Sequence, residues 1–208
     1  MWRRTLWIIL TPLACAGLLV LATDRQARGV PDEVTVLRVG YFASVLHAPV
    51  LVALSDGTLA RELGNVTIEE RLFGAGPALI EALFAGEIDV AYVGPNPAVN
   101  AWVRSQGRAL RIVAAVTRGG EGFVVRDGWQ PAGPIDYAGK VLASPQTGNT
   151  QDISLRRFLH DRGVGVGGSD GVRVIAPGNP ELFAMFVRGD IHGAWVAEPW
   201  LTRLLTEA

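Results

Sequence analysis

The chain has 208 residues, with 19 Lys+Arg against 20 Asp+Glu, a single cysteine and 49% hydrophobic residues. A formal net charge of −1 leaves no basic footprint for nucleic acid. One cysteine excludes an internal disulfide.

At the N-terminus, Arg3 and Arg4 precede an apolar stretch over residues 5–22 that is short and weakly flanked for a membrane span. Val20-Leu21-Ala22 offers small or apolar residues for cleavage. Residues 1–22 are therefore read as an export signal or, if retained, an N-terminal anchor, which puts the mature chain in the periplasm or another extracytoplasmic space. Cys15 follows Pro12-Leu13-Ala14, which fits a lipobox badly because an apolar aliphatic is wanted where Pro12 stands. The cysteine is read as part of the signal.

Residues 23–33 form a polar link. Residues 34–42 (VTVLRVGYF) predict a buried strand by their aliphatic and β-branched content. Apolar residues at helical spacing over 47–63 predict a helix stopped by Gly64, and residues 65–73 a second strand. The turn Gly74-Ala75-Gly76-Pro77 leads into a helix. A strand over 90–93 follows, and Gly94-Pro95-Asn96-Pro97 opens a helix to about Val103. This β-α-β-α-β-α order predicts a mostly parallel sheet flanked by helices, with ligands off the carboxyl ends of its strands.

Residues 110–116 and 122–126 are extended runs around Arg118-Gly119-Gly120-Glu121, suited to cross into a second lobe that the Gly- and Pro-rich residues 127–134 begin. There, 140–144 reads as a strand, 151–162 as a helix, 172–175 as a strand, 181–187 as a helix and 193–196 as a strand. The loop 163–171 holds five glycines. Two stretches say nearly the same thing: 77–93 (PALIEALFAGEIDVAYV) and 180–196 (PELFAMFVRGDIHGAWV) match at Leu79/Leu182, Gly86/Gly189, Ile88/Ile191 and Val93/Val196. A unit used twice predicts two α/β lobes on one plan with a cleft between them. The expected division is lobe one over 34–126 with the first crossing, lobe two over 127–197, and a second hinge over 198–208. The chain stops as Glu198-Pro199-Trp200 should return it to lobe one, so that lobe is expected to lack closing elements.

Pro145 to Asp152 stands between a strand and an amphipathic helix. Free N–H groups at a helix start, flanked by hydroxyls and amides, suit an anionic head group, while Asn149 or Thr150 would serve equally well as an ordinary N-cap. Tyr41, Phe42, Tyr92, Trp195 and Trp200 stand at strand ends as candidate walls. Ser44, His47, Asn96, Thr147, Asn149, Thr150 and Glu198 can supply the few polar contacts that orient a small solute. Glu198 beside Trp200 can pair with a ligand amine or make a hinge salt bridge. No catalytic, metal or cofactor set is expected: His47, His160 and His192 lie far apart, and no HExxH, GxxxxGK[ST] or CxxC occurs. His192 takes the place that Asp89 has in the first repeat, as scaffold.

The segments LRVGYF, HAPVLVA, GEIDVAYVGPNPAVNA, GKVLASPQTGNTQDISLRRFL and GDIHGAWVAEPW, in this order from Leu37 to Trp200, resemble the substrate-binding proteins of ABC importers for nitrate, sulfonate, taurine and related compounds. The resemblance implies a type II periplasmic-binding fold, α/β and bilobal. It also implies a monomeric binder without cofactor that closes on a small anionic or zwitterionic solute and docks on an inner-membrane ABC permease. By similarity the pocket would use Tyr41, Phe42, Ser44 and His47, then Gly74 and Gly76, and then Gly94, Pro95 and Asn96. The second lobe would add Thr147, Gly148, Asn149, Thr150 and Gln151, and the hinge Glu198 and Trp200. Family members continue well beyond this point and return to lobe one. Thiamine-precursor binders and a pyrimidine synthase share the fold and are the alternative, but export and the lack of a clustered His/Cys site speak against an enzyme.

Expression with the native N-terminus should place the protein outside the cytoplasm, shortened near Ala22. N-terminal sequencing of fractionated cells checks this, and a full-length cytoplasmic product would refute it.

Overall fold

Strands and helices alternate through residues 36–168 and 171–208, which are the residues the computed structural model describes. The residues read as a signal (1–22), with Cys15, and as a link (23–33) lie outside them. In the first lobe β1 (Val36–Tyr41) pairs in parallel with β2 (Thr67–Leu72) on one side and β3 (Val90–Ala91) on the other. Around this sheet lie α1 (Ala48–Ser55), α2 (Thr58–Leu63), α3 (Gly76–Phe84) and α4 (Pro95–Arg104). The second sheet has the order β4 (Glu121–Val125), β7 (Gly193–Ala197), β5 (Val141–Ala143), β6 (Arg173–Ile175), with β4 antiparallel to β7 and the rest parallel. Helices α5 (Thr150–Asp161), α6 (Asn179–Arg188) and α7 (Trp200–Glu207) flank it. The α/β class with two mostly parallel sheets is thus as the sequence predicts. None of the described helices is long and apolar enough to cross a membrane.

The repeat is reproduced atom for atom at its turn. Gly86 and Gly189 both take left-handed backbone, φ 71° and 86°. Each closes its helix in the same way: Gly86 N–H bonds Leu83 O and Glu87 N–H bonds Ala82 O, as Gly189 N–H bonds Phe186 O and Asp190 N–H bonds Met185 O. A side chain other than glycine is strained there. Two residues on, Ile88 and Ile191 are buried, as are Leu79 and Leu182 in the helices that these glycines close. Burying each of these aliphatic side chains is worth about 1.5–3 kcal/mol.

Position 89/192 explains how two unlike residues share a site. Asp89 Oδ2 accepts the N–H of Arg38 at 2.9 Å, and His192 Nδ1 accepts the N–H of Val141 at 3.2 Å. Each side chain thereby ties its own strand to the first strand of its lobe. In lobe one the aspartate adds a two-pronged ion pair to the Arg38 guanidinium, which lowers its pKa.

Three elements differ from expectation. The helix read over 47–63 is three pieces: a 3-10 turn (Val45–His47), α1 and α2, broken at Asp56-Gly57, where Asp56 Oδ1 accepts Thr58 N–H at 2.8 Å and Gly57 is left-handed. Tertiary periodicity masked this local cap. The strand read over 90–93 pairs only at its first two residues. The run 110–116 pairs with no strand among the described residues, and Ile112 and Val113 are 67% and 90% exposed. β-branched composition predicted extension there but could not supply a partner. The last strand of the crossing, β4, pairs within the second sheet.

An exposed apolar run of this kind binds hydrophobic dyes. Replacing Ile112 and Val113 together by Lys should reduce dye fluorescence and leave unfolding free energy within about 0.5 kcal/mol, because neither side chain is packed. A cooperative transition lost in the double variant would show that the run is packed.

Candidate functional site

A cleft of about 1320 Å³ opens where the carboxyl ends of both sheets face each other. Phe42, Ser44 and His47 reach it from the turn after β1, Gly74 and Gly76 from the turn before α3, and Gly94 and Pro95 from the turn before α4. The second lobe brings Asn149, Thr150 and Gln151 from the start of α5, and the chain leaving β7 brings Glu198 and Trp200. Tyr92 and much of the crossing over 108–117 complete the walls.

Four hydrogen bonds tie the crossings and the lobes around it, one of them directly from lobe to lobe. Ser44 Oγ donates to Glu198 O at 3.0 Å, and Thr117 Oγ1 donates to Leu46 O at 2.5 Å. Glu198 N–H donates to Gly120 O at 2.9 Å, joining the two crossings. Asn96 Nδ2 donates to Gly148 O at 2.7 Å, directly across from α4 to the turn before α5. Beside this last bond Gly94 lies so close to Thr150 that an added Cβ would collide with its hydroxyl.

Five sequence candidates do not line the cleft. Tyr41 turns its hydroxyl to Glu70 Oε2 at 2.5 Å on the neighbouring strand. Thr147 is exposed at the tip of its turn, and Asn96 and Gly148 spend their polar groups on each other. Trp195 is core as well: its ring packs with Phe123 and Phe158, at centroid distances of 6.0 and 5.7 Å. Glu198 makes no salt bridge among the described residues; its carboxylate oxygens accept the N–H and hydroxyl of Thr202, both at 3.0 Å, and so cap α7. Asn149 acts as the N-cap of α5, its Oδ1 accepting Asp152 N–H at 2.8 Å.

The helix starts around the cleft are unequal. Proline occupies the first or second position of α3, α4 and α6, and α4 has another at Pro97, so each lacks one or two of the N–H groups that would meet an anion. Helix α5 has no proline there. Its N–H groups at Thr150 and Gln151 precede the first bonded turn, and the Thr150 hydroxyl is buried without a partner. A buried hydroxyl left unpaired costs about 1–3 kcal/mol, and this one lies against the backbone of Gly94 at the edge of the cleft.

His47 stacks on Phe42 at 4.5 Å and its Nδ1 accepts the N–H of Phe42 at 3.0 Å. Burial lowers its pKa to about 4, and the ring is neutral in the cleft wall. Glu121, which the sequence reading passed over, opens β4 at the cleft and accepts from Gln151 Nε2 at 2.9 Å and Ser154 Oγ at 2.8 Å. The signal for it was an acid starting an otherwise apolar strand, EGFVV. Asn179 at the start of α6 was missed too; its Oδ1 is buried and unpaired.

No group of three or more metal-ligating side chains occurs among the described residues. Residues 167–171 spell G-x-S-x-G, but they lead from α5 towards β6, whereas the nucleophile elbow needs a strand-to-helix turn, and Ser169 lies outside the described residues.

The model of the NMT1-like family matches residues 30–208. The taurine-binding periplasmic protein of Escherichia coli K12 is 30% identical over 156 residues, 75% of this chain and 47% of that protein. Among solved structures, the alkanesulfonate-binding protein SsuA of Xanthomonas axonopodis pv. citri, bound to MOPS, superposes with a TM-score of 0.65 at 25% identity, over 82% of this chain and 57% of that one. The nitrate-binding protein NrtA of Synechocystis PCC 6803 superposes with a TM-score of 0.66 at 19% identity, over 84% and 50%. The chain spans about half the length of the curated relatives it matches.

The neutral His47 has a pH signature. Its folded pKa of about 4 lies below the ordinary value near 6.5, so between the two the unfolded state binds the extra proton and acid favours unfolding. The contribution is complete above about pH 6.5 and is lost as pH falls towards 4, by up to about 1.4 kcal/mol per unit. Thermal unfolding between pH 7.5 and 5 should fall more steeply for the native protein than for His47→Gln. Parallel slopes would take the effect away from His47.

Proposed function

The chain belongs to the NMT1-like family, and from that premise we propose that it is the extracytoplasmic solute-binding component of an ABC importer. Its solute is small and anionic or zwitterionic, of the sulfonate, taurine or nitrate kind, and it sits in the cleft between the lobes. The observation that carries this reading is the start of α5: an unpartnered buried hydroxyl at Thr150 and a proline-free first turn, facing a cleft walled by Phe42, Tyr92 and Trp200. Two free N–H groups and one hydroxyl can replace the water around an oxyanion, and the rings shed water from the rest of the solute.

The lobes, over 34–126 and 127–197, close on the solute about the two crossings, whose strands already touch at Gly120 and Glu198. The closed pair then presents one joint surface to an inner-membrane permease, and the protein works as a monomer. The relatives favour this reading over a thiamine-precursor binder or a synthase.

Calorimetric titration with taurine, alkanesulfonates and nitrate tests it. At least one should bind, and Thr150→Val, which keeps the shape and removes the hydroxyl, should weaken it about tenfold, or about 1.4 kcal/mol. Asn149→Ala should cost about 1 kcal/mol of stability as a lost cap, with a much smaller effect on affinity. Unchanged affinity in Thr150→Val removes that hydroxyl from the site.

A further inference from the structure

We propose that the outer face of α4 and the turn that follows it dock on a membrane surface rich in anionic phospholipid. This holds whichever solute fills the cleft. Between Asp89 and Glu121 the chain runs 31 residues without an acid and carries four arginines, although the whole chain has a net charge of −1. One stretch thus holds a positive charge that the rest of the chain outweighs.

The fold gathers three of these arginines around one exposed ring. Helix α4 buries Pro97, Ala98 and Ala101, while Val99, Trp102 and Val103, at the spacing of a single helix face, are 50%, 50% and 61% exposed. The chain then folds back under the indole: Gly107 N–H donates to Trp102 O at 2.8 Å, and a Cβ added at Gly107 would meet the ring at 3.2 Å. Arg108 bonds Ser105 O and Gln106 Oε1, at 3.3 and 3.2 Å, and Arg111 bonds the carbonyls of Gly107 and Leu110. Neutral acceptors hold both guanidiniums on this turn and leave their charge uncancelled. Arg104 lies over the Phe84 ring at 5.7 Å, and its pair with Glu81, at 3.3 Å, is exposed on both sides and therefore weak. A hollow of about 410 Å³ opens between Phe84 and Arg104.

Exposed apolar surface rimmed by charge of one sign marks an interaction site. The residue types here suit a bilayer: an indole seats at the headgroup level, valines enter the acyl boundary, and guanidiniums take phosphodiester oxygens in two-pronged bonds. These side chains stand on the crest of a helix, and a fluid surface moulds itself around them. A folded protein partner would have to bring a matching hollow lined with acids. On the reading above, an exported protein serving an inner-membrane permease meets such a surface, and binding to it confines the search for the permease to the plane of the membrane.

The experiment cosediments the purified exported protein with vesicles of phosphatidylcholine alone and of equal parts phosphatidylcholine and phosphatidylglycerol. Binding to the anionic vesicles should be about tenfold tighter or more at low salt, and should fall steeply as salt is raised. Arg108→Gln combined with Arg111→Gln should lower it about tenfold. Val103→Asp, which puts an acid on the exposed face of α4, should lower it too, and an unchanged unfolding midpoint shows that the face and not the fold was lost. Residues 5–22, where retained, act equally in native protein and variants. Equal binding to both kinds of vesicle, or binding unmoved by these variants, overturns the proposal. So does self-association that Val103→Asp abolishes in a protein that ignores vesicles, which would give the face to a second copy. Each of these results leaves the solute-binding reading standing, since calorimetry tests that without lipid.

Discussion

The cleft depends on one ladder, the antiparallel pairing of β4 with β7. Every other ladder among the described residues is parallel, and parallel neighbours begin at the same end of a sheet. Antiparallel pairing sets the start of one strand opposite the end of the other, so Glu121 faces Ala197 and the entering and leaving chains meet at one corner. Two adjacent crossings at one corner form the hinge that the proposed closing of the lobes would use. The same pairing puts Glu121 and Glu198, far apart in sequence, on one wall.

Around that corner the two lobes contribute unequally. Lobe one offers helix starts interrupted by proline and a neutral imidazole packed on Phe42, which makes it a shaped, mostly apolar wall. Lobe two offers α5, with its donors, its cap and the two side chains that grip Glu121. On the proposed reading, a solute would find most of its polar partners on α5, and closure would add the aromatic wall.

Much of this was legible in the residues. The repeat at Gly86 and Gly189 predicted two lobes because a glycine after an apolar helix face, then an acid and a buried Ile, specifies one turn and one strand entry wherever it occurs. The end of the sheet where a ligand would sit followed from the parallel order, and the particular loops from the family resemblance. What the sequence withheld were directions. Tyr41 and Phe42 are neighbours in a strand, so one faces its sheet neighbour Glu70 and the other the cleft, and composition does not say which. Asn149 and Thr150 read alike as caps; the structure gives the cap to Asn149 and leaves Thr150 unpaired. Glu121 was hidden because its partners come from α5, some thirty residues on, and no local pattern announces them.

The contact between Gly94 and Thr150 has a mechanical meaning. The lobes approach until backbone at residue 94 meets a hydroxyl at residue 150, and the missing Cβ is the clearance that allows it. A methyl group at residue 94 would act as a doorstop: each half keeps its own packing, the jaws stop ajar, and the Asn96 bridge to Gly148 is stretched out of reach. On the proposed reading, a captured solute would then leave sooner. One hydrogen atom in place of a methyl thus sets how closely residues 94 and 150 approach, right beside the hydroxyl proposed to meet the solute's charge.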